Sequence, residues 1–225
     1  MEFTGGSQSL PAPDLAKVLG LQGIRQLLQI MCDAYFDLLK SGFVRPNTPE
    51  DDITEQWFVH IMLRWQKASH IAITVIPIPQ KRDSTKGKKG KIPPTIDFSF
   101  RDRHFPQSYF GAECKLMDGG CREHLGRYVG QKGMGRFLDG RYASQSSAGA
   151  MIGYVRVGDP EMVVRDVVKC VSNLPGKPRV KKTKPLRGFK DISESHHKRS
   201  YGISPFCIFH LFYAFGRRNA TSTRP

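Results

Sequence analysis

Apolar residues near the start of the chain recur at helical spacing. Ile24, Leu27, Leu28, Met31, Tyr35 and Leu38 fall on one face of a helix that Asp14 can cap. It runs to about Lys40, and Gly42 is placed to end it. A second helix is predicted with Thr48 as N-cap, Pro49 at the first helical position and Asp51 three residues after the cap. Ile53, Trp57, Ile61 and Trp65 form its apolar stripe. The period then changes. Residues 71–78 are rich in β-branched side chains and read as a buried strand. Further strands are expected over about 94–100, 109–117 and 149–157. The glycine-rich stretch 122–142 lies between the last two and reads as partly helical. Asp159 caps and Pro160 opens another helix, with Val163, Val167 and Val171 on one side. Residues 174–190 look irregular, and 204–215 is an apolar strand or helix that periodicity cannot assign. The order α, α, β, β, β, α, β, α predicts an α/β fold, a central mixed sheet with helices on both faces. Residues 1–13 read as a flexible N-terminus and 14–225 as a single domain.

Composition adds a partner class. Of 225 residues, 35 are Lys or Arg and 20 are Asp or Glu, a formal net charge of +15. The cations cluster: Lys81, Arg82, Lys86, Lys88, Lys89 and Lys91 form one run. Lys177, Arg179, Lys181, Lys182, Lys184, Arg187 and Lys190 form another. Such clustering favours a polyanionic partner, nucleic acid before an anionic membrane, over a surface that serves solubility alone. The five cysteines form no CxxC pair, which argues against a disulfide framework and a four-cysteine zinc site. The first residues lack the apolar core of a signal peptide, and the longest apolar stretch, 203–215, is too short to span a bilayer. A cytoplasmic protein without membrane contact is the expectation.

Candidate chemistry lies on two of the strands. Side chains alternate between faces. Ile96, Phe98 and Phe100 are expected on one face, with Thr95, Asp97 and Ser99 on the other. Phe110, Ala112, Cys114 and Leu116 share an apolar face, so Glu113 and Lys115 project together from the opposite one. If the strands are neighbours, Asp97 sits beside Glu113. Two close carboxylates repel unless a cation lies between them. Magnesium or manganese takes carboxylate oxygens, a backbone carbonyl such as that of Cys114, and water. Lys115 can then orient a water or stabilise charge on a pentacovalent phosphate.

Pro94-Thr-Ile-Asp97 followed by Glu113-Cys-Lys115 resembles the PD-(D/E)XK pattern of restriction-endonuclease-like nucleases. The resemblance covers about residues 48–174, leaving 175–225 as a C-terminal extension. The proline stands three residues before the aspartate rather than next to it. The resemblance implies a restriction-endonuclease-like α/β/α core and magnesium-dependent cleavage of DNA, endonucleolytic by family habit. Asp97 and Glu113 become metal ligands and Lys115 the catalytic lysine. A glutamate on the preceding helix joins the metal in many members, and Glu55 is the expected one. A polar residue from the following helix often faces the site, and Gln131 and Lys132 are the candidates. Family habit also suggests a role in prokaryotic antiviral defence. A partner protein for targeting and, separately, a homodimer are further expectations.

Lys86, Lys88, Lys89, Lys181 and Lys182 are expected to follow the phosphate backbone, together with Gln131 and Lys132. The competing readings are an exposed Glu113–Lys115 ion pair, a non-catalytic nucleic-acid-binding module on a decayed nuclease fold, and a basic RNA-binding scaffold. His196 and His197, being adjacent, should point apart and belong to a solvated polar turn. His210 should be a hydrogen-bonded core residue, and Cys114, Trp57 and Trp65 should be packed in the core.

Overall fold

The computed structural model describes residues 13–68, 71, 74–82 and 95–216. The chain opens with α1 (Leu15–Ser41), which is kinked at Gly20, and α2 (Glu50–Gln66), then the strands β1 (Val75–Arg82), β2 (Thr95–Asp102) and β3 (Tyr109–Leu116). Two short helices follow, α3 (Arg122–Val129) and α4 (Met134–Leu138), then β4 (Ala148–Val155) and α5 (Pro160–Ser172). It closes with β5 (Val180–Lys182), β6 (Ile192–His197) and β7 (Phe206–Ala214). The strands form one mixed seven-stranded sheet in the order β1-β2-β3-β4-β7-β6-β5. β3, β4 and β7 run parallel, as strands joined by helical crossovers do, and the outer pairs are antiparallel.

Both faces of the sheet are covered, which is why β3 and β4 are buried along nearly their whole length. On one face α1 and α2 pack over Phe98, Phe110, Ala112, Cys114, Ile152 and Tyr213. Trp57 is fully buried there and donates its indole N–H to Met31 O at 3.1 Å. On the other face Tyr128, Met134 and Phe137 of α3 and α4 join Val163, Val167 and Val171 of α5 over Met151, Ile208 and Phe212. The architecture is therefore three layers, α/β/α. The Pro- and Lys-rich segment after α5 is strapped to α1, where Arg25 donates to Lys184 O and Pro185 O and Arg187 pairs with Asp33.

Several boundaries differ from expectation. Thr48 does not cap α2. Its Oγ1 accepts the Arg45 N–H at 2.7 Å, closing a turn ahead of the helix, and Pro49 takes the cap position with Glu50 first in the helix. The first strand begins at Val75 rather than Ile71. Residues 122–142 split into two helices, because Gly130 and Gly133 turn the chain where backbone carbonyls lie too close for a side chain. The segment 174–190 contributes the edge strand β5, and the apolar run 204–215 becomes the strand β7. The histidine segment is strand β6 rather than a turn. As alternation requires, His196 faces solvent and His197 is buried. Among the described residues no helix is long and apolar enough to cross a membrane.

A buried polar chain ties three of these elements together. His197 Nε2 and His210 Nε2 are hydrogen-bonded to Ser195 Oγ at 2.7 and 2.8 Å. His210 Nδ1 meets the Tyr128 hydroxyl of α3 at 3.0 Å. Burial, and secondarily the neighbouring His196, lowers His197 to about 4. Burial, with His197 nearby, lowers His210 to about 3. Both rings are thus neutral in the folded state at pH 7, whereas they titrate near 6.5 when unfolded. The unfolded chain binds more protons below that value. The contribution of this pair is therefore complete above about pH 6.5 and falls as the pH drops toward 4, by up to about 1.4 kcal/mol per pH unit for each histidine. The difference in stability between the wild type and His210→Asn, read by urea unfolding from pH 7 to 4.5, should fall by up to about 1.4 kcal/mol per pH unit, because groups common to both proteins cancel in that difference.

Candidate active site

The site forms where β2 and β3 part. Their ladder runs from Arg101↔Tyr109 to Phe98↔Ala112. At the next position the Asp97 carboxylate, rather than the β2 backbone, accepts the Cys114 N–H at 2.6 Å. The expected alternation of β2 breaks here. Phe98 and Phe100 pack under α1 and α2, but Ile96 packs with the core of the opposite face. Ile96 lies over Gly111, where a Cβ would come within 2.3 Å of its Cδ1. A glycine at that position lets the strand turn over and frees Asp97 to reach across to β3.

Glu113 and Lys115 project from β3, as alternation predicts, but not into solvent. Glu113 is 1% exposed and Lys115 8%, so an exposed ion pair is ruled out. The Lys115 ammonium is the centre of the cluster. Nζ lies 2.9 Å from Glu113 Oε1, 3.1 Å from Glu50 Oε1 and 3.9 Å from Asp97 Oδ2, and it donates to Cys114 O. The Cys114 carbonyl thus faces the cluster while its thiol is buried in the core, as expected. Glu50 Oε2 also accepts the Leu116 N–H at 2.7 Å, fixing the start of α2 against the end of β3.

Two corrections follow. Glu55 is solvent-exposed, about 200° around the helix from Ile53, while Ile53, Thr54, Trp57 and Ile61 form the buried face. The helix acid in the cluster is Glu50. It stands three, four and seven residues before Ile53, Thr54 and Trp57, on their side of the helix, but only the docking of that side on β3 brings it to Lys115. Gln131 and Lys132 lie in the exposed turn between α3 and α4, and Gln131 Oε1 accepts from Arg141. The residue that reaches the acids from this side is Arg136 of α4, with Nη1 3.2 Å from Glu113 Oε1. Arg136 also donates to the Tyr142 hydroxyl at 2.5 Å, and that hydroxyl donates to Thr95 O. Sequence reading passed over Arg136 because its approach depends on the turn at Gly130 and Gly133.

The other nucleic-acid candidates lie apart. Lys86, Lys88 and Lys89 fall outside the described residues. Lys181 and Lys182 are exposed on the edge strand β5, four strands or roughly 19 Å from β3.

Burial, and next the charge of Asp97, raises Glu113 to about 8, against the pull of Lys115 and Arg136. Burial likewise raises Asp97 to about 6, opposed by Lys115 and the Cys114 N–H. Burial would lower Lys115, but Glu113, Asp97 and Glu50 outweigh it and hold the ammonium above the ordinary lysine range. The three acids outnumber the two cations. One buried oxygen, Glu113 Oε2, has no hydrogen-bond partner. Carboxylate oxygens and a backbone carbonyl are the donor types a hard divalent cation uses, but Glu50, Asp97 and Glu113 do not stand with one oxygen each within 4.8 Å of the other two. In this structure the acids surround the ammonium rather than one another, so a cation would share the space with Lys115.

Removing the ammonium should leave buried, uncompensated carboxylates, a change that costs about 3–5 kcal/mol. Lys115→Met should therefore lower the unfolding temperature in chelator and regain part of the loss when magnesium is added. Glu55→Ala should change neither, and differential scanning calorimetry reads both. No family model, characterised protein or solved structure matches this chain, so the chemistry of the site rests on its own geometry.

Proposed function

We propose that the chain is a divalent-cation-dependent nuclease that hydrolyses phosphodiester bonds in DNA on a restriction-endonuclease-like fold. One observation carries the reading. Glu50, Asp97 and Glu113, from three different elements, converge on a nearly buried lysine at a break in the sheet. A structural ion pair needs one acid, whereas three around one amine, with a carboxylate oxygen left unpartnered, is an arrangement suited to charge in transit. Asp97, Glu113 and the Cys114 carbonyl would hold magnesium or manganese, with Glu50 in the place expected for Glu55. The bound cation would neutralise phosphate charge and lower the pKa of a coordinated water.

The chain's own groups supply the rest. Lys115 stands within hydrogen-bond reach of Glu113 and Glu50, where its ammonium can orient the attacking water and offset charge on the phosphate. Arg136 donates to Glu113 Oε1, the same oxygen that Lys115 approaches. Tyr142 tethers Arg136 to the start of β2. The formal charge of +15, with exposed Lys132, Lys181 and Lys182, supports a polyanionic substrate.

Cleavage of plasmid DNA in magnesium tests the proposal. Asp97→Ala, Glu50→Gln and Lys115→Ala should each slow it by about a hundredfold or more, with native circular dichroism. Full activity in Asp97→Ala and Lys115→Ala would remove the assignment. Duplex affinity should fall steeply with salt, with a log–log slope of about −0.9 for each phosphate neutralised. Binding that ignores salt would remove the nucleic-acid part.

A further inference from the structure

A second group of metal-type side chains lies on β6 and β7. In their antiparallel pairing His196 stands directly opposite Cys207. Glu194 precedes His196 by two residues, so strand alternation puts all three side chains on one face of the sheet. That face is opposite the one holding His197 and His210. One ligand atom from each residue lies within 4.8 Å of the other two, and no other such group of three occurs among the described residues. β6 is three strands from β3 in the sheet, roughly 14 Å, so the group is separate from the Lys115 cluster.

We propose that Glu194, His196 and Cys207 bind a thiophilic divalent cation of the zinc type. Thiolate, imidazole and carboxylate together suit zinc, whereas magnesium prefers oxygen donors in an octahedron. The spacing agrees with that chemistry. His196 Nε2 lies 3.4 Å from Glu194 Oε1. Two ligands at about 2.1 Å from one tetrahedral centre are themselves about 3.4 Å apart. These two side chains thus already stand at the separation of neighbouring ligands, and a side-chain adjustment of Cys207 closes the third corner. Cys207 is partly buried and packs against the core under α1 and α2. The His196 side chain is 54% exposed, which leaves the fourth position to water. On binding, the thiol releases its proton to solvent. All three ligands come from two adjacent strands, so the cation would clamp the outer strands β5 and β6 to the sheet centre through β7.

The test is a cobalt titration of the full-length protein in magnesium-free, reducing buffer. One equivalent should bind with thiolate-to-cobalt charge-transfer absorption, and zinc should displace it. Cys207→Ser should abolish that absorption. Loss of even an outer-shell partner weakens metal sites about tenfold or more, so His196→Ala and Glu194→Gln should lower affinity at least that much. Absence of the absorption, or its persistence in Cys207→Ser, overturns the proposal. So does unchanged cobalt affinity in His196→Ala, a variant at an exposed side chain that leaves the core intact. In either case Glu194 and His196 are a surface ion pair only.

Discussion

The structure turns on one electrostatic constraint: a lysine ammonium held out of water among three carboxylates. Taking Glu113 and Lys115 out of solvent carries a desolvation cost that a single ion pair does not reliably offset. The fold meets it by bringing in Glu50, Asp97 and Arg136 from other elements. Each of these approaches needs a local departure from regular structure. β2 stands off β3 before Phe98, Gly111 makes room for Ile96, and α2 begins at Glu50 so that its first residue meets the end of β3.

The remaining architecture holds that break in place. Trp57 and the aromatic residues around it fix α2 against the sheet, with Phe98, Tyr154 and Tyr213 at ring-centroid separations of 5.1, 6.0 and 5.1 Å. Tyr154 also meets Thr54 of α2 at 3.2 Å, one turn after Glu50. On the other face the short helices α3 and α4 carry Arg136 to Glu113, and Tyr128 anchors α3 to β7 through His210. An error in either layer would move an acid or a guanidinium relative to the ammonium. Dispersion and hydrogen bonding far from the cluster therefore set its electrostatics.

Charge is distributed unevenly over the molecule. The whole chain is strongly cationic, yet Glu50, Asp97 and Glu113 gather at the break in the sheet. On the nuclease reading the two features complement each other. A cationic surface attracts the phosphate backbone over distances near the Debye length. A local excess of carboxylate would then hold a cation where the backbone arrives. The exposed lysines of β5 lie too far from β3 to touch the same phosphate as Lys115, so their contribution would be to affinity along the strand rather than to chemistry.

The sequence by itself determined the α/β class, the two ends of the first helical segment at Asp14 and Gly42, and the direction of Glu113 and Lys115 from β3. These follow from short-range periodicity and capping, which act between residues a few positions apart. It also marked Asp97, Glu113 and Lys115 as a set, because two short polar interruptions in apolar strands are visible in one dimension. Tertiary structure alone decided that Glu50 and not Glu55 meets them, that Arg136 and not Gln131 or Lys132 arrives from the far layer, and that Ile96 changes face. Those outcomes depend on where α2 starts relative to the end of β3, on the turn at Gly130 and Gly133, and on a side chain replacing a ladder hydrogen bond. Glu194, His196 and Cys207 were likewise separated in the sequence. Only the register of β6 on β7 places them on one face, because pairing across strands is fixed by packing between distant segments and leaves no local trace.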